Sequence, residues 1–402
     1  LKIKDKISYK MLPKPHLFIK KATIDLNKND AKSSITEINN LKIFIHAANI
    51  YSKSNIEIKS VEISKTNFNF SIKDIKDFRD HMFYKINKTV IINDSKFFYL
   101  DKKKNVILIS PIDSLKYSVN FENKFKQLKI KGNIFDTKYQ SVWEKNYDSP
   151  NKTFNEIKFK NPNLIITNNF NLNDNFNFSG NSLINFLNEN ISLNYKFDKN
   201  TIAINSSSDI SKQKIKIFSN INLDPFYFDT KIIMAEQNYK FLINYFFNYL
   251  FNIDKNVLEN INGKLTLYFA DLNNEIINSG RIDLILEEKL IKIISSKFKI
   301  DDVGIINSNI KYYEKEGELL FNSSNELKIE DHLEFARKFQ LDFDQVKKIN
   351  KIFFDLEKEI NKDEFFISNI YINKINKNKK SEKIYNIKNI QTLKSLLRSL
   401  IS

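Results

Sequence analysis

The chain has four imidazoles, His16, His46, His81 and His332. Metal ligation by histidine favours short spacings such as His-x-x-x-His, which put two rings on one helix face. These four are dozens of residues apart, so each reads as a lone surface or partly packed histidine. Two adjacent carboxylate pairs, Glu287-Glu288 and Asp301-Asp302, have the chemistry to hold a divalent cation or to share acid–base work. Each falls at an expected turn, where carboxylates are ordinarily solvated. With no cysteine there is no thiolate nucleophile, thiolate metal site or disulfide. No G-x-G-x-x-G, P-loop or G-x-S-x-G signature occurs, and six glycines are too few for a phosphate-cradling loop. These residues predict no catalytic site, no metal and no cofactor. The single tryptophan, Trp143, is expected to anchor a core or a sheet edge.

The elements that carry these residues are mostly short runs alternating apolar and polar positions, the period of a strand with one buried face. They begin at Pro13-Lys14-Pro15-His16-Leu17-Phe18-Ile19 and Ala22–Leu26, and continue through Leu41–Ile45, Ile56–Ile58, Val61–Ile63 and Asn67–Phe70. Between 145 and 235 the alternation is clearest, with one strand and turn every ten to twelve residues, as in an antiparallel meander. Asparagine takes the turn positions, because its side chain bonds its own backbone and it tolerates the left-handed region.

Three stretches change period. In 72–86, Ile72, Ile75, Phe78, Met82, Phe83 and Ile86 recur at spacings of three and four, which predicts an amphipathic helix with Ser71 as its cap. At 237–259, Asn244, Asn248 and Asn252 line one narrow face of an otherwise apolar helix. Helical patches are expected near 331–350, capped by Asp331, and at 391–401, where Lys394 and Arg398 face away from the leucines. The resulting organisation is a β region over 1–235, a helical insertion or cap over 236–260, and a second β region over 261–402.

The net charge is +16, from 64 basic and 48 acidic residues. A positive excess attracts phosphate, in nucleic acid or in lipid head groups. Lys, Asn and Ile are also the residues of A/T-rich codons, which gives the charge a compositional origin. Basic residues interleave with aromatics, as in single-strand binders, but the aromatics share parity with Ile and Leu and therefore face the core. Nucleic acid is not an expected partner. No apolar run reaches the roughly 20 residues of a membrane-spanning helix. The chain begins at Leu1, which reads as a fragment or processed form with an anchor or signal upstream.

Helices this few cannot cover so many one-faced strands. The sheet must fold over as a sandwich, close as a barrel, or curl into a groove whose lining recruits apolar ligand. The opening unit ends in the cadence Ile56-Glu57-Ile58-Lys59-Ser60-Val61-Glu62-Ile63-Ser64-Lys65-Thr66-Asn67-Phe68-Asn69-Phe70. It resembles the N-terminal repeat of the AsmA-like family of envelope proteins, AsmA and TamB among them. Asn262-Gly263-Lys264-Leu265-Thr266-Leu267, Ser279–Leu284 and Gly317–Phe321 are similar to that family's C-terminal region.

The resemblance implies a mainly β protein: an elongated, curled antiparallel sheet, groove- or taco-like, with a few amphipathic helices. It implies no catalytic residues, and a place in the periplasm of a Gram-negative bacterium, anchored to the inner membrane by an upstream helix. It further implies phospholipid or other acyl chains as ligand, a role in outer-membrane assembly, and outer-membrane assembly proteins as partners. The lining would then comprise Phe18, Ile43, Ile45, Phe68 and Phe70 in the opening stretch. In the middle it would comprise Phe176, Phe178, Leu193, Tyr195, Phe197, Ile215 and Ile217. In the second β region it would comprise Leu265, Leu267, Phe269, Ile282, Leu284 and Leu286. The alternative is a structural or adhesion-type β protein with a closed core and no ligand.

Overall fold

The computed structural model describes residues 2–25, 35–46, 57–71, 74, 86–122, 124–134, 137–146, 148, 152–161, 163–172, 178–186, 189–198, 200–207, 214–235, 261–270, 276–287, 290–315, 318–359, 364–373, 375–376 and 384–401. Strands account for 72% of them, so the core is built from sheet faces and not from helix stripes. The chain divides into two compact units, one of residues 1–213, 218–228 and 254–261, the other of 214–217, 229–253 and 262–402. The helix expected at 237–259 lies outside the described residues, as do His81, Phe176 and nearly all of 72–85.

The first unit opens with β1 (Lys2–Ile3), β2 (Ile7–Lys10), β3 (His16–Ile19), β4 (Ala22–Asp25), β5 (Ile35–Ile38), β6 (Asn40–Ile45), β7 (Ile58–Ser64) and β8 (Asn67–Phe70). β1, β4 and β5 form a small antiparallel sheet, and β2–β3–β6–β7 pair antiparallel in sequence. β9 (Thr89–Leu100) departs from the all-antiparallel expectation, because both β7 and β8 run parallel to it. A parallel return needs a crossover of a dozen or more residues, and 71–88 supply it. At its start Ser71 and Asp74 bond reciprocally: the Ser71 hydroxyl donates to the carboxylate at 2.6 Å, as does its N–H at 2.8 Å. The Asp74 N–H returns a bond to the Ser71 hydroxyl at 3.4 Å, so aspartate takes the role that Glu or Gln has in a capping box; the helix expected to follow lies outside the described residues.

From β9 the chain runs as an antiparallel meander. Its strands are β10 (Val106–Asn120), β11 (Phe125–Ile134), β12 (Thr137–Asn146), β13 (Lys152–Phe159), β14 (Leu164–Leu172), β15 (Phe178–Phe186), β16 (Glu189–Asp198), β17 (Thr201–Ser206) and β18 (Ile215–Leu223). Residues 182–186 are the end of strand β15. Apolar residues of β3, β6, β7, β8, β9, β10 and β11 fuse into one buried cluster that includes Ile19, Leu41, Phe68, Ile92, Leu115 and Tyr117.

After β19 (Phe226–Ala235), the second unit continues with β20 (Asn262–Ala270), β21 (Ser279–Glu287), β22 (Leu290–Ile300), β23 (Gly304–Lys315) and β24 (Glu318–Ile329), paired antiparallel in order. A bulge at Ile294, opposite the Asp283–Leu284 step, moves the less exposed positions of β22 from odd (Ile291, Ile293) to even (Ser296, Phe298, Ile300). The expected helical patch is two helices, α1 (His332–Phe339) and α2 (Phe343–Val346). Asp331 caps α1 by accepting from the N–H groups of Leu333 and Glu334, and Gln340 ends it in the left-handed region.

β25 (Lys351–Glu359), β26 (Phe365–Ile372), β27 (Ile375–Asn376), β28 (Tyr385–Ile387) and α3 (Ile390–Ile401) complete the chain. Helix α3 docks on the sheet: Leu396 and Leu400 are buried beside Phe335 and Phe339, and the Arg398 Nε donates to the Gln340 carbonyl at 3.2 Å. Among the described residues no helix is long and apolar enough to cross a membrane.

A glycine marks one of the tight points of the meander. A Cβ on Gly180 would stand 2.4 Å from the Asn169 carbonyl oxygen and 2.7 Å from the Tyr195 hydroxyl, which lies across it. Gly180→Ala is expected to lower unfolding free energy by about 1–3 kcal/mol. Urea denaturation of the purified protein measures it.

Candidate functional site

The cross-strand register of β11–β17 arranges the inner side chains in rows, because residues directly opposite in paired strands share a face. One row is Lys126, Lys145, Thr153, Phe170, Gly180, Tyr195 and Ile204. The next is Leu128, Trp143, Asn155, Asn168, Ser182, Leu193 and Ser206. A third runs Ile130, Ser141, Ile157, Ile166, Ile184 and Ile191. Beyond Lys126, Lys145 and Thr153 the face is mostly apolar, crossed by one band of amides and hydroxyls.

That band satisfies itself. Asn155 is 2% exposed; its Nδ2 donates to Ser141 Oγ at 2.9 Å and to the Val142 carbonyl at 3.2 Å, while its Oδ1 accepts from Asn168 Nδ2 at 3.0 Å. The Ser182 hydroxyl donates in turn to Asn168 Oδ1. Amides bonded across four strands tie each strand to its neighbour in a single register, since a slip of one residue would turn them to the opposite face.

Beside the band runs a row of rings. Trp143 meets Phe170 edge-on at 5.9 Å, Phe170 meets Phe178 at 5.7 Å, and Phe178 stacks on Phe197 at 4.7 Å. Burial pushes the Tyr195 hydroxyl up to about 12, so it stays neutral. Leu193 and Phe197 are buried, but Leu164, Ile166, Ile184, Phe186, Ile202 and Ile204 remain partly exposed. This part of the face is therefore less completely covered than the sealed cluster near β3–β11.

The other lining candidates have several fates. Phe68 and Phe70 are core residues, packed edge-on against Phe97 at 5.2 and 5.3 Å. Ile43 packs on the same cluster and Ile45 is buried. The placement of Phe18 is corrected: Leu17 stands opposite Ile43, whereas Phe18 stands opposite Lys42, under the Lys10 ammonium at 4.3 Å from its ring. Alternation puts neighbours on opposite faces, and Leu17 and Ile19 hold the apolar one. In the second unit Leu267, Phe269, Ile282 and Leu284 are buried, with Leu265 and Leu286 partly so; Ile215 is buried and Ile217 partly exposed.

No described histidine or acidic pair assembles a reactive site. His16 is buried, with Nδ1 2.7 Å from the Lys14 carbonyl oxygen and its ring tilted on Phe44 at 5.2 Å. His46 is partly exposed. Asp301 pairs with Lys338, and Asp302 lies 3.8 Å from Lys299. Glu287 is exposed, and Glu288 lies outside the described residues. Among the described residues no three His, Asp or Glu side chains converge as metal ligands. An open concavity of about 780 Å³ on the second unit is lined by polar groups such as Asn307, Asn309 and Asp355; there Asn369 Nδ2 donates to Asp355 at 2.7 Å.

Sequence reasoning missed the lysines of the first row. Lys126 and Lys145 face each other across β11 and β12 on the buried side, each only 6% exposed. Burial first, and the Lys145 charge second, push Lys126 below the ordinary lysine value. The signal was present as lysine in the parity of Leu128 and Ile130 on β11, and of Tyr139 and Trp143 on β12. No known family model matches the chain, and no curated protein matches it.

Two outcomes follow. Asn155→Ala removes donor and acceptor together and leaves Asn168 short of a partner; a loss of about 1–3 kcal/mol in urea unfolding is expected. For Lys126, a folded-state value below the ordinary 10.5 means that the unfolded chain binds more protons between the two values. Stability should therefore rise as pH climbs through that window, the penalty being fully present below it. Thermal unfolding across alkaline pH should show this slope, and Lys126→Met should flatten it.

Proposed function

We propose that the protein is a non-enzymatic envelope protein of the AsmA-like type, which binds or conducts phospholipid along an apolar β groove. The observation that carries this reading is the partly exposed inner face of β13–β17. Burying a Leu- or Phe-sized side chain fully is worth roughly 1.5–3 kcal/mol, so a row of half-covered ones favours an apolar occupant. Contiguous apolar surface of this kind marks binding sites on soluble proteins. Acyl chains match it, being long, apolar and indifferent to side-chain detail. The cadence of the opening strands supports the same class. With that class come a periplasmic location, attachment to the inner membrane through an upstream anchor, and support of outer-membrane assembly.

A second reading has its own support. The cluster around Tyr117 is sealed. The second unit's core encloses an apolar gap of only about 80 Å³ beneath Phe335, Phe339 and Leu396, with no room for an acyl chain. A structural or adhesion-type β protein would be built this way throughout.

Lipid extraction and mass spectrometry of the purified protein separate the two. Co-purifying phospholipid is expected, and Ile166→Lys with Ile204→Lys should reduce it at least tenfold while circular dichroism still reports the β fold. Protein that carries no lipid, and takes none from vesicles, would establish the closed-core alternative.

A further inference from the structure

We propose that the open concavity on the second unit is a binding site for a neutral saccharide chain. It lies on the face of β23–β26 turned away from the core beneath α1 and α3, and register assembles it from two rows. Asn307, Glu326, Phe353 and Tyr371 stand opposite one another across the four strands, and Asn309, Ser324 and Asp355 do so across three. Their neighbours Asn325, Leu327 and Ile352 are buried, so alternation turns both rows to the other side. The register shifts between Phe353 and Asp355, where β26 carries one residue more, and Asn369 takes the left-handed region there at φ 49°. Such a bulge bends its strand and re-aims a side chain. Here the Asn369 amide reaches Asp355 at 2.7 Å, beside a hollow of about 780 Å³, the size of a small-molecule site.

The hollow offers two kinds of group. Among the described residues none bonds the exposed side-chain amides of Asn307 and Asn309. Asp355 accepts from Asn369 and is paired with no cation among them, whereas Glu326 is neutralised by Lys351. Phe353 and Tyr371 stand side by side, partly exposed and outside the core cluster. A sugar ring carries hydroxyls around its rim, each both donor and acceptor, and C–H groups on its faces. Amides and a carboxylate match the rim, and the negative face of an aromatic ring attracts the C–H groups. Asp355 repels a phosphate or other anion. A metal ion would lack ligands, since among the described residues no three acidic or imidazole side chains converge. A neutral, hydroxyl-rich ring satisfies both rows at once. The site is independent of the lipid reading, which concerns the first unit.

The probes are maltotetraose, cellotetraose and chitotetraose, titrated into the full chain by isothermal calorimetry in the presence of EDTA. At least one should bind with a Kd of about 1 mM or tighter. Tyr371→Ala removes a ring and Asp355→Ala the open carboxylate, and each should weaken that binding roughly tenfold. Tyr371→Phe keeps the ring and should retain most of it. Asn309→Ala, at an exposed position, should weaken it several-fold. Tyr227→Ala removes an exposed tyrosine of the first unit and should bind as wild type does. Circular dichroism controls for folding. Equal binding by wild type, Tyr371→Ala, Asp355→Ala and Asn309→Ala would overturn the site, as would an equal loss in Tyr227→Ala. No heat from any of the three sugars up to about 10 mM would overturn it too. None of these outcomes bears on whether the protein carries lipid.

Discussion

A sheet with one apolar face must have that face covered, and most of what distinguishes the parts of this protein is how each meets that requirement. In the opening part of the first unit, strands cover it by packing on one another. Phe68, Phe70 and Phe97 interlock edge-on, and the Tyr117 hydroxyl, otherwise buried, donates to the Ile86 carbonyl at 2.8 Å. In the second unit, helices do the work: Phe335 and Phe339 of α1 and Leu396 and Leu400 of α3 press onto the inner residues of β24, β25 and β26. Along β13–β17 several apolar residues, Leu164, Ile166, Ile184 and Ile204 among them, keep part of their surface accessible. The same local pattern thus serves a closed core in two places and a partly open face in a third.

The polar groups on these inner faces follow from the same requirement. A buried amide is tolerated when its donors and acceptors are matched, and both units match theirs across strands. The Ser141–Asn155–Asn168–Ser182 band does so in the first unit. In the second, Asn325 Nδ2 donates to Ser323 Oγ at 3.0 Å and to the Phe354 carbonyl at 3.2 Å. Such bonds form only when each strand sits in one register, so they add specificity where a long meander would otherwise slide. Lys126 and Lys145 lie on the same buried side, opposite each other across β11 and β12, and Lys126 Nζ donates to Asn87 Oδ1 at 3.3 Å.

Much of this was legible in the chain. The strands, the helical patches near 331–350 and 391–401 and the Asp331 cap are local features, written in residues a few positions apart. So is the lack of catalytic spacing among the histidines and acidic pairs. Register was less legible. Phe18 is large and apolar, but it sits between Leu17 and Ile19, and its pairing with Lys42 placed it on the polar face. The bulge in β22 reversed which parity is buried without a glycine or proline to announce it. One expected helical patch became two because Gln340 adopts the left-handed region after α1.

The sequence by itself determined the class of element at each position and which residues alternate, since both depend on backbone and side-chain chemistry within a few residues. It also determined that no thiolate, glycine-rich loop or histidine cluster is available. Only the tertiary structure decided which faces are sealed and which stay partly open, because coverage depends on strands and helices distant in sequence. It alone brought Lys126, Lys145 and Thr153 into one row, across two turns of the meander. Cross-strand neighbours are set by register, a relation between segments that neither segment carries alone.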